Sequence, residues 1–290
     1  MTTDETALLS AVEANADDDL PRLVFADWLE EHGHPIRAEF IRLQCEIAHL
    51  ETDRRDDVRP HHYGLWQRQA ELLAAHRGDA LGPLAGLPGT VDVRFDRGFV
   101  SRVELRVADF LDHGAALDAA RPRPRVRVIQ VAADVIGIVT SPHLGCITEI
   151  GGYAPGEAYL LFPPGGYEPF MAAMAHRLTR LEVLDLEGCG IGDWFGDLFA
   201  TFTLPALVEL DLSNNHITDV GVADLLNCRL PRKLILGGNP ITDQGAIELA
   251  DRLRNSPVEY LNLRRTLIDQ PGHAALLRTF NRAGKKVDLF

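Results

Sequence analysis

The feature that most restricts what this chain can fold into is a repeat of nearly fixed spacing. From residue 181 it reads Leu181-x-x-Leu184-x-Leu186-x-x-Cys189-x-Ile191, and it returns as Leu207-x-x-Leu210-x-Leu212-x-x-Asn215-x-Ile217. A third copy carries Leu234, Leu236, Asn239 and Ile241, with Pro231 in the first leucine position, and a fourth reads Val258-x-x-Leu261-x-Leu263-x-x-Thr266-x-Ile268. The steps from Leu184 to Leu210, Leu234 and Leu261 are 26, 24 and 27 residues, and a half-copy, Val287-Asp288-Leu289, follows 26 residues later. Leu-x-Leu alternation is the period of a strand that hides one face. The Asn or Cys position takes the chain off the strand, where its side chain can satisfy backbone groups that a curved turn leaves free. Asp219 to Leu226, Asp243 to Leu253 and Pro271 to Arg282 read as helices, the first two capped by Thr218-Asp219 and Thr242-Asp243. A single strand–helix unit cannot bury its apolar side alone, so such units stack. The expected fold class is therefore α/β: a solenoid with a parallel sheet on the concave face and helices outside.

These copies resemble leucine-rich repeats of the ribonuclease-inhibitor type, in which a long repeat carries a true helix. The tract Ile-Thr-Asp-x-Gly, present as Ile217-Thr218-Asp219-Val220-Gly221 and Ile241-Thr242-Asp243-Gln244-Gly245, is typical of that subclass, and the resemblance covers about 110 residues. Upstream the pattern decays. Val103 to Leu105, Val126 to Val131 and Ile147 to Ile150 look like strands, with Asp109 to Ala120 a helix, and Gly151 to Gly166 is a Gly/Pro-rich insertion in which Ala158 to Phe162 could form a further strand. Three regions are expected: 1–87, an all-α N-terminal cap; 88–180, degenerate repeats with the insertion; and 181–290, the regular repeats.

Residues 4–50 read as helices. Leu8, Leu9 and Val12 share a face; Asp17-Asp18-Asp19 precede Leu20-Pro21, placing acids before a helix start and proline in its first turn. Leu23, Val24, Phe25, Trp28 and Leu29 make an apolar stripe, Phe40, Ile41, Leu43, Ile47 and Leu50 a second, and residues 62–77 a further helix with Leu65, Trp66, Leu72 and Leu73 inward. The run from Asp18 to Gly33, containing Leu23-Val24-Phe25-Ala26-Asp27-Trp28-Leu29-Glu30-Glu31, followed by Arg37-Ala38-Glu39-Phe40-Ile41-Arg42-Leu43-Gln44, resembles the bacterial repeat-companion domain over about 45 residues. Gly98-Phe99-Val100 with Ser101-Arg102-Val103, and Ser141-Pro142-His143-Leu144, look like the linking region of such proteins. The resemblance implies architecture and no activity. On physical grounds the module is a cap over the open end of the array, in which Trp28 packs and Asp27 orients a neighbouring helix.

The formal charge is -13, from 29 Lys and Arg against 42 Asp and Glu, which argues against a nucleic-acid partner. The beginning of the chain lacks the apolar core of a secretory signal, and no run approaches the length of a membrane span; the expected location is cytoplasmic. Cys45, Cys146, Cys189 and Cys228 lie far apart, as buried or half-buried thiols rather than a metal or redox set. His32 with His34 and His61 with His62 lack the His-x-x-x-His spacing of a metal pair. Asp17-Asp18-Asp19 lacks the rest of an EF-hand loop, and no Walker loop, Gly-x-Ser-x-Gly elbow or dinucleotide fingerprint occurs. In Gly188-Cys189-Gly190 the thiol holds the repeat's Asn/Cys position. No catalytic residue, metal or cofactor is expected.

The concave face is where binding is expected. Asp185, Glu187, Glu209 and Asp211 would present acids there, and Lys233, Tyr260, Asn262 and Arg264 a basic and aromatic end, a dipolar strip able to register a protein partner. At the end of the array Val287, Leu289 and Phe290 would leave an apolar sheet edge for a partner strand or a second copy, unless Lys285 and Lys286 act as gatekeepers. The expected function is a non-catalytic protein-interaction scaffold. The alternatives are an enzyme with a site near 151–166 or the companion module, and a structural subunit of a larger assembly.

Overall fold

A computed structural model describes residues 2–52, 63–130, 135–151, 176–200 and 204–289. The chain divides into two compact units, Met1–Leu105 with Asp112–Val126, and Arg106–Leu111 with Arg127–Phe290.

The first unit holds α1 (Thr3–Ala14), α2 (Leu20–Glu31), α3 (Pro35–Thr52), α4 (Tyr63–Leu81) and a hairpin of β1 (Asp92–Asp96) and β2 (Phe99–Arg106). The hairpin turn places Arg97 at φ 47° and Gly98 at φ 82°, the twist that a two-residue turn needs. Gly98 also lies against α3: a Cβ there would fall 2.4 Å from the Ile41 Cα. One core gathers Leu9 and Val12 from α1, Phe25, Ala26 and Leu29 from α2, Ala38, Ile41 and Cys45 from α3, and Phe99. A second joins Phe40, Leu43 and Ile47 to Leu72 and Ala80 of α4. Arg22, only 5% exposed, donates to the carbonyls of Asn15, Ala16 and Asp18 and so closes the end of α1.

Two local expectations need correction here. Leu23 and Val24 are exposed, 36% and 45%, because the inward face of α2 is the Arg22–Phe25–Ala26–Leu29 face, which excludes them. The acidic run is not a simple cap: Asp19 at the N-cap makes no side-chain cap bond but pairs with Arg97 at 2.8 Å, while the Asp18 carboxylate accepts from the Leu20 amide. Val103 to Leu105, expected as a strand, lies in β2 and pairs antiparallel with β1, Val103 opposite Val93. Trp28 stacks on Phe25 and His32, and Asp27 with Glu30 accepts from Arg42 of α3, as the packing argument anticipates.

After α5 (Val107–Ala119), the second unit is a parallel ladder: β3 (Arg125–Ile129), β4 (Glu149–Gly151), β5 (Val183–Asp185), β6 (Glu209–Asp211), β7 (Lys233–Ile235), β8 (Tyr260–Asn262) and β9 (Lys286–Asp288). Between strands run the helices α6 (Val135–Thr140), α7 (Phe195–Phe199), α8 (Asp219–Leu225), α9 (Asp243–Arg252) and α10 (Gln270–Ala283). The register aligns the central residues Val128, Ile150, Leu184, Leu210, Leu234, Leu261 and Val287, all but the last buried. Each buried leucine contributes roughly 1.5–3 kcal/mol. The insertion beyond Gly151, with Ala158 to Phe162, and the His61–His62 pair lie outside the described residues.

Two side-chain ladders lock successive repeats. Asn215 accepts from the Ile191 amide of the preceding repeat and donates to the carbonyls of Leu186 and Ser213. Asn239 accepts from the amides of Asn215 and Ile217 and donates to Leu212 and Leu236. Both asparagines are buried, so these bonds satisfy backbone groups that water cannot reach. The second ladder runs the other way. Asp193 accepts from the Thr218 amide and hydroxyl and the Gly221 amide, Asp219 from the Thr242 amide and hydroxyl, and Asp243 from the amides of Asp269 and Gly272. Thr218 and Thr242 cap their own helices, as expected, but Asp219 and Asp243 serve the helix of the next repeat.

Candidate protein-interaction face

Each strand from β5 to β8 is three residues long, with its centre buried and its flanks half-exposed. Strand pairing puts the flanks in two rows on the face opposite the leucines. One row runs Arg127, Glu149, Val183, Glu209, Lys233, Tyr260, Lys286; the other includes Asp185, Asp211, Ile235, Asn262 and Asp288. Asp185 packs so closely on Gly151 that a Cβ there would lie 2.8 Å from its own Cβ, so the neighbouring rung has to be glycine at that place.

Three of the eight strip residues hold the turn that ends their strand. Asp185 accepts from the Glu187 amide at 3.1 Å, Asp211 from Ser213 at 2.8 Å and Asn262 from Arg264 at 2.9 Å. Their oxygens are therefore partly committed to the backbone.

Charge on the face is more balanced than the strip alone suggests. Arg127 sits 3.5 Å from Glu149 and 3.7 Å from Asp185. Lys233 donates to Glu209 at 2.8 Å, and Glu187 accepts from Asn214 at 2.9 Å. Asp211 has no cation within 4.0 Å among the described residues; burial pushes its carboxyl above the ordinary range, opposed by the Ser213 bonds and reinforced by Asp185 and Glu187. At the other end the Tyr260 hydroxyl donates to Asp288 at 2.6 Å, and the ammonium groups of Lys233 and Lys286 lie 5.6 and 5.1 Å from its ring centre. Burial, then the Asp288 bond, raises the Tyr260 phenol, and the same bond, with Lys286 and Arg264, lowers Asp288. The sequence strip missed Arg127, Glu149, Lys286 and Asp288. The parallel register places them in its rows, but the irregular spacing upstream of Leu181 hides the first two.

Of the end-contact residues, Leu289 is buried at 7% exposure, Val287 is half-buried and Phe290 lies outside the described residues. Lys285 donates to the carbonyls of Leu253 and Ser256, closing the end of the helical segment after α9. Cys45, Cys146 and Cys189 are buried and Cys228 half-buried; burial pushes Cys45 and Cys189 up to about 12. Among the described residues no group of three or more His, Cys, Asp or Glu could hold a metal ion, and no helix is long and apolar enough to cross a membrane.

Comparison with known proteins agrees with the repeat. No curated protein matches the chain. Among solved structures that match is one titled "Leiomodin-1 Actin-Binding Site 2 (ABS2)", 16% identical, covering 40% of this chain and 70% of that one with a TM-score of 0.29. Residues 178–193, 204–226 and 232–250 match the family described as Leucine Rich repeat, and no catalytic family is indicated. Over residues 178–250 the chain carries leucine-rich repeats.

Proposed function

We propose that this protein is a non-catalytic scaffold that binds a protein partner through the strand face of its repeats. The observation that carries this reading is the in-register pair of rows on β5 to β8, which holds Glu209, Lys233 and Tyr260 side by side beside Asp211 and Asn262 on a backbone fixed by the leucine ladder. A surface so ordered needs little reorganisation to bind, and its mixed charge gives register more than raw affinity. Tyr260, half-exposed between two lysines, is the anchor. In this reading the repeats are of the ribonuclease-inhibitor type and coil as a solenoid with the rows on its concave side. Residues 1–87 form a cap akin to the bacterial repeat-companion domain, 88–180 degenerate repeats and 181–290 the regular array; the protein works in the cytoplasm, and a second copy can meet the edge at β9.

The test substitutes residues that do not hold the turns. Glu187 and Arg264 are exposed. Full-length protein with E187K, R264E and Y260A serves as bait beside the unaltered chain, with cross-linking and mass spectrometry to locate the contact. A partner recovered by the unaltered chain and reduced about tenfold by the triple variant supports the reading; undiminished recovery, or cross-links confined to other surfaces, removes it.

A further inference from the structure

We propose that the groove between α9 and α10 is a second docking site, for an acidic peptide segment of a protein partner. It lies on the helices and not on the strand face, so it stands or falls separately from the function proposed above. The groove encloses about 470 Å³ and is lined by Ala250, Arg254, Ala275, Arg278, Thr279 and Arg282 among others. Its depth follows from sequence: alanines where α9 and α10 pack, with Ala275, Arg278, Thr279 and Arg282 at helical spacing along one face of α10.

Its polar groups are largely unspent. Arg254 comes no nearer than 4.0 Å to Asp251; Arg278 uses its Nε on the Ala274 carbonyl, leaving the outer nitrogens. Among the described residues Arg282 has no ion pair. Thr279 is only 7% exposed, and its hydroxyl has no hydrogen-bond partner among the described residues. A threonine hydroxyl on the lining of the groove can donate to a ligand oxygen. Three guanidinium groups against one carboxylate, in a chain of formal charge -13, form a local positive site.

The shape selects the occupant. Guanidinium forks match carboxylates with two parallel bonds. A lone oxyanion would leave most of about 470 Å³ to water, at roughly 30 Å³ each, whereas several side chains of a peptide fill it. No aromatic ring lines the groove to stack a base, and the net charge repels a long polyanion.

The experiment is fluorescence anisotropy of the full-length chain with a labelled hexaglutamate peptide, hexaglutamine as control, at low and physiological salt. Hexaglutamate is expected to bind and hexaglutamine not to. R278Q/R282Q is expected to weaken binding about tenfold or more, with partial recovery in R278K/R282K. T279V, which keeps shape and loses the hydroxyl, is expected to weaken it about threefold to fivefold with an unchanged melting curve. R232Q, at an exposed arginine near Glu259, leaves binding intact. Equal loss in R232Q, no loss in R278Q/R282Q, or complete displacement by inorganic phosphate or a single-stranded oligonucleotide at matched charge overturns the proposal. So does a dimer seen by light scattering that R278Q/R282Q dissolves, which would make a second copy the occupant.

Discussion

Asp211 shows how one residue can serve the fold and cost it stability at once. Its carboxylate holds the Ser213 amide, yet it is half-buried beside Asp185 and Glu187 with no cation in reach among the described residues. Its folded pKa is raised, so between the ordinary aspartate value and the folded one the native state binds the extra proton, and stability falls as pH rises through that window. D211N keeps the acceptor and removes the charge. It is expected to raise the melting temperature at neutral pH and to give no gain below the ordinary aspartate range, where both side chains are neutral; thermal melts at the two pH values check this. The thiols make a second residue-scale test. With Cys45, Cys146 and Cys189 buried, and two of these pushed up to about 12, a thiol reagent at mildly alkaline pH is expected to label at most Cys228 before unfolding and all four after. Rapid native labelling of Cys189 would contradict its place in the turn.

At the scale of elements, the strand–turn–helix unit is stabilised by its neighbours more than by its own propensities. Strands of three residues and helices of seven to ten would not persist alone. N239A orphans the amides of Asn215 and Ile217 and two carbonyls in a dry turn, so it is expected to cost at least about 3 kcal/mol in urea unfolding. G245A drives a Cβ to 2.4 Å from the Asp219 carboxylate and 2.9 Å from the Ile241 methyl, an expected loss of about 2 kcal/mol that shrinks in a D219A background. The leucine alternation, the turn asparagines and the threonine caps were legible in the sequence because each acts through its own repeat or an obvious period. The role of Asp219 was not: it stands one residue after a helix cap and looks local, while its partners lie on the next period at Thr242. The glycine of Ile-Thr-Asp-x-Gly was legible as a motif, but its cause, a carboxylate from the preceding repeat, is visible only in three dimensions.

For the whole molecule, the chain divides into two compact units, and the first has a core of its own around Phe25. F25A, which empties the first core at a cost of about 3–5 kcal/mol, is expected to release amides of α1 to α3 to hydrogen exchange while those of Leu210, Leu234 and Leu261 stay protected. The strand face proposed for binding was half legible. Period gave Glu209, Lys233 and Tyr260 a common row, whereas the neutralising Arg127 comes from a stretch whose spacing to Asp185 follows no repeat. The paired ladders also govern how such an array can change length. The Ile191 turn needs Asn215 from the repeat after it, and the helix beginning at Asp219 needs Asp193 from the repeat before it. A cassette inserted or deleted at any point other than whole periods would break a debt in both directions, so duplication of complete units, with asparagine and aspartate carried together, is the path by which this array could have grown and by which it could be lengthened by design.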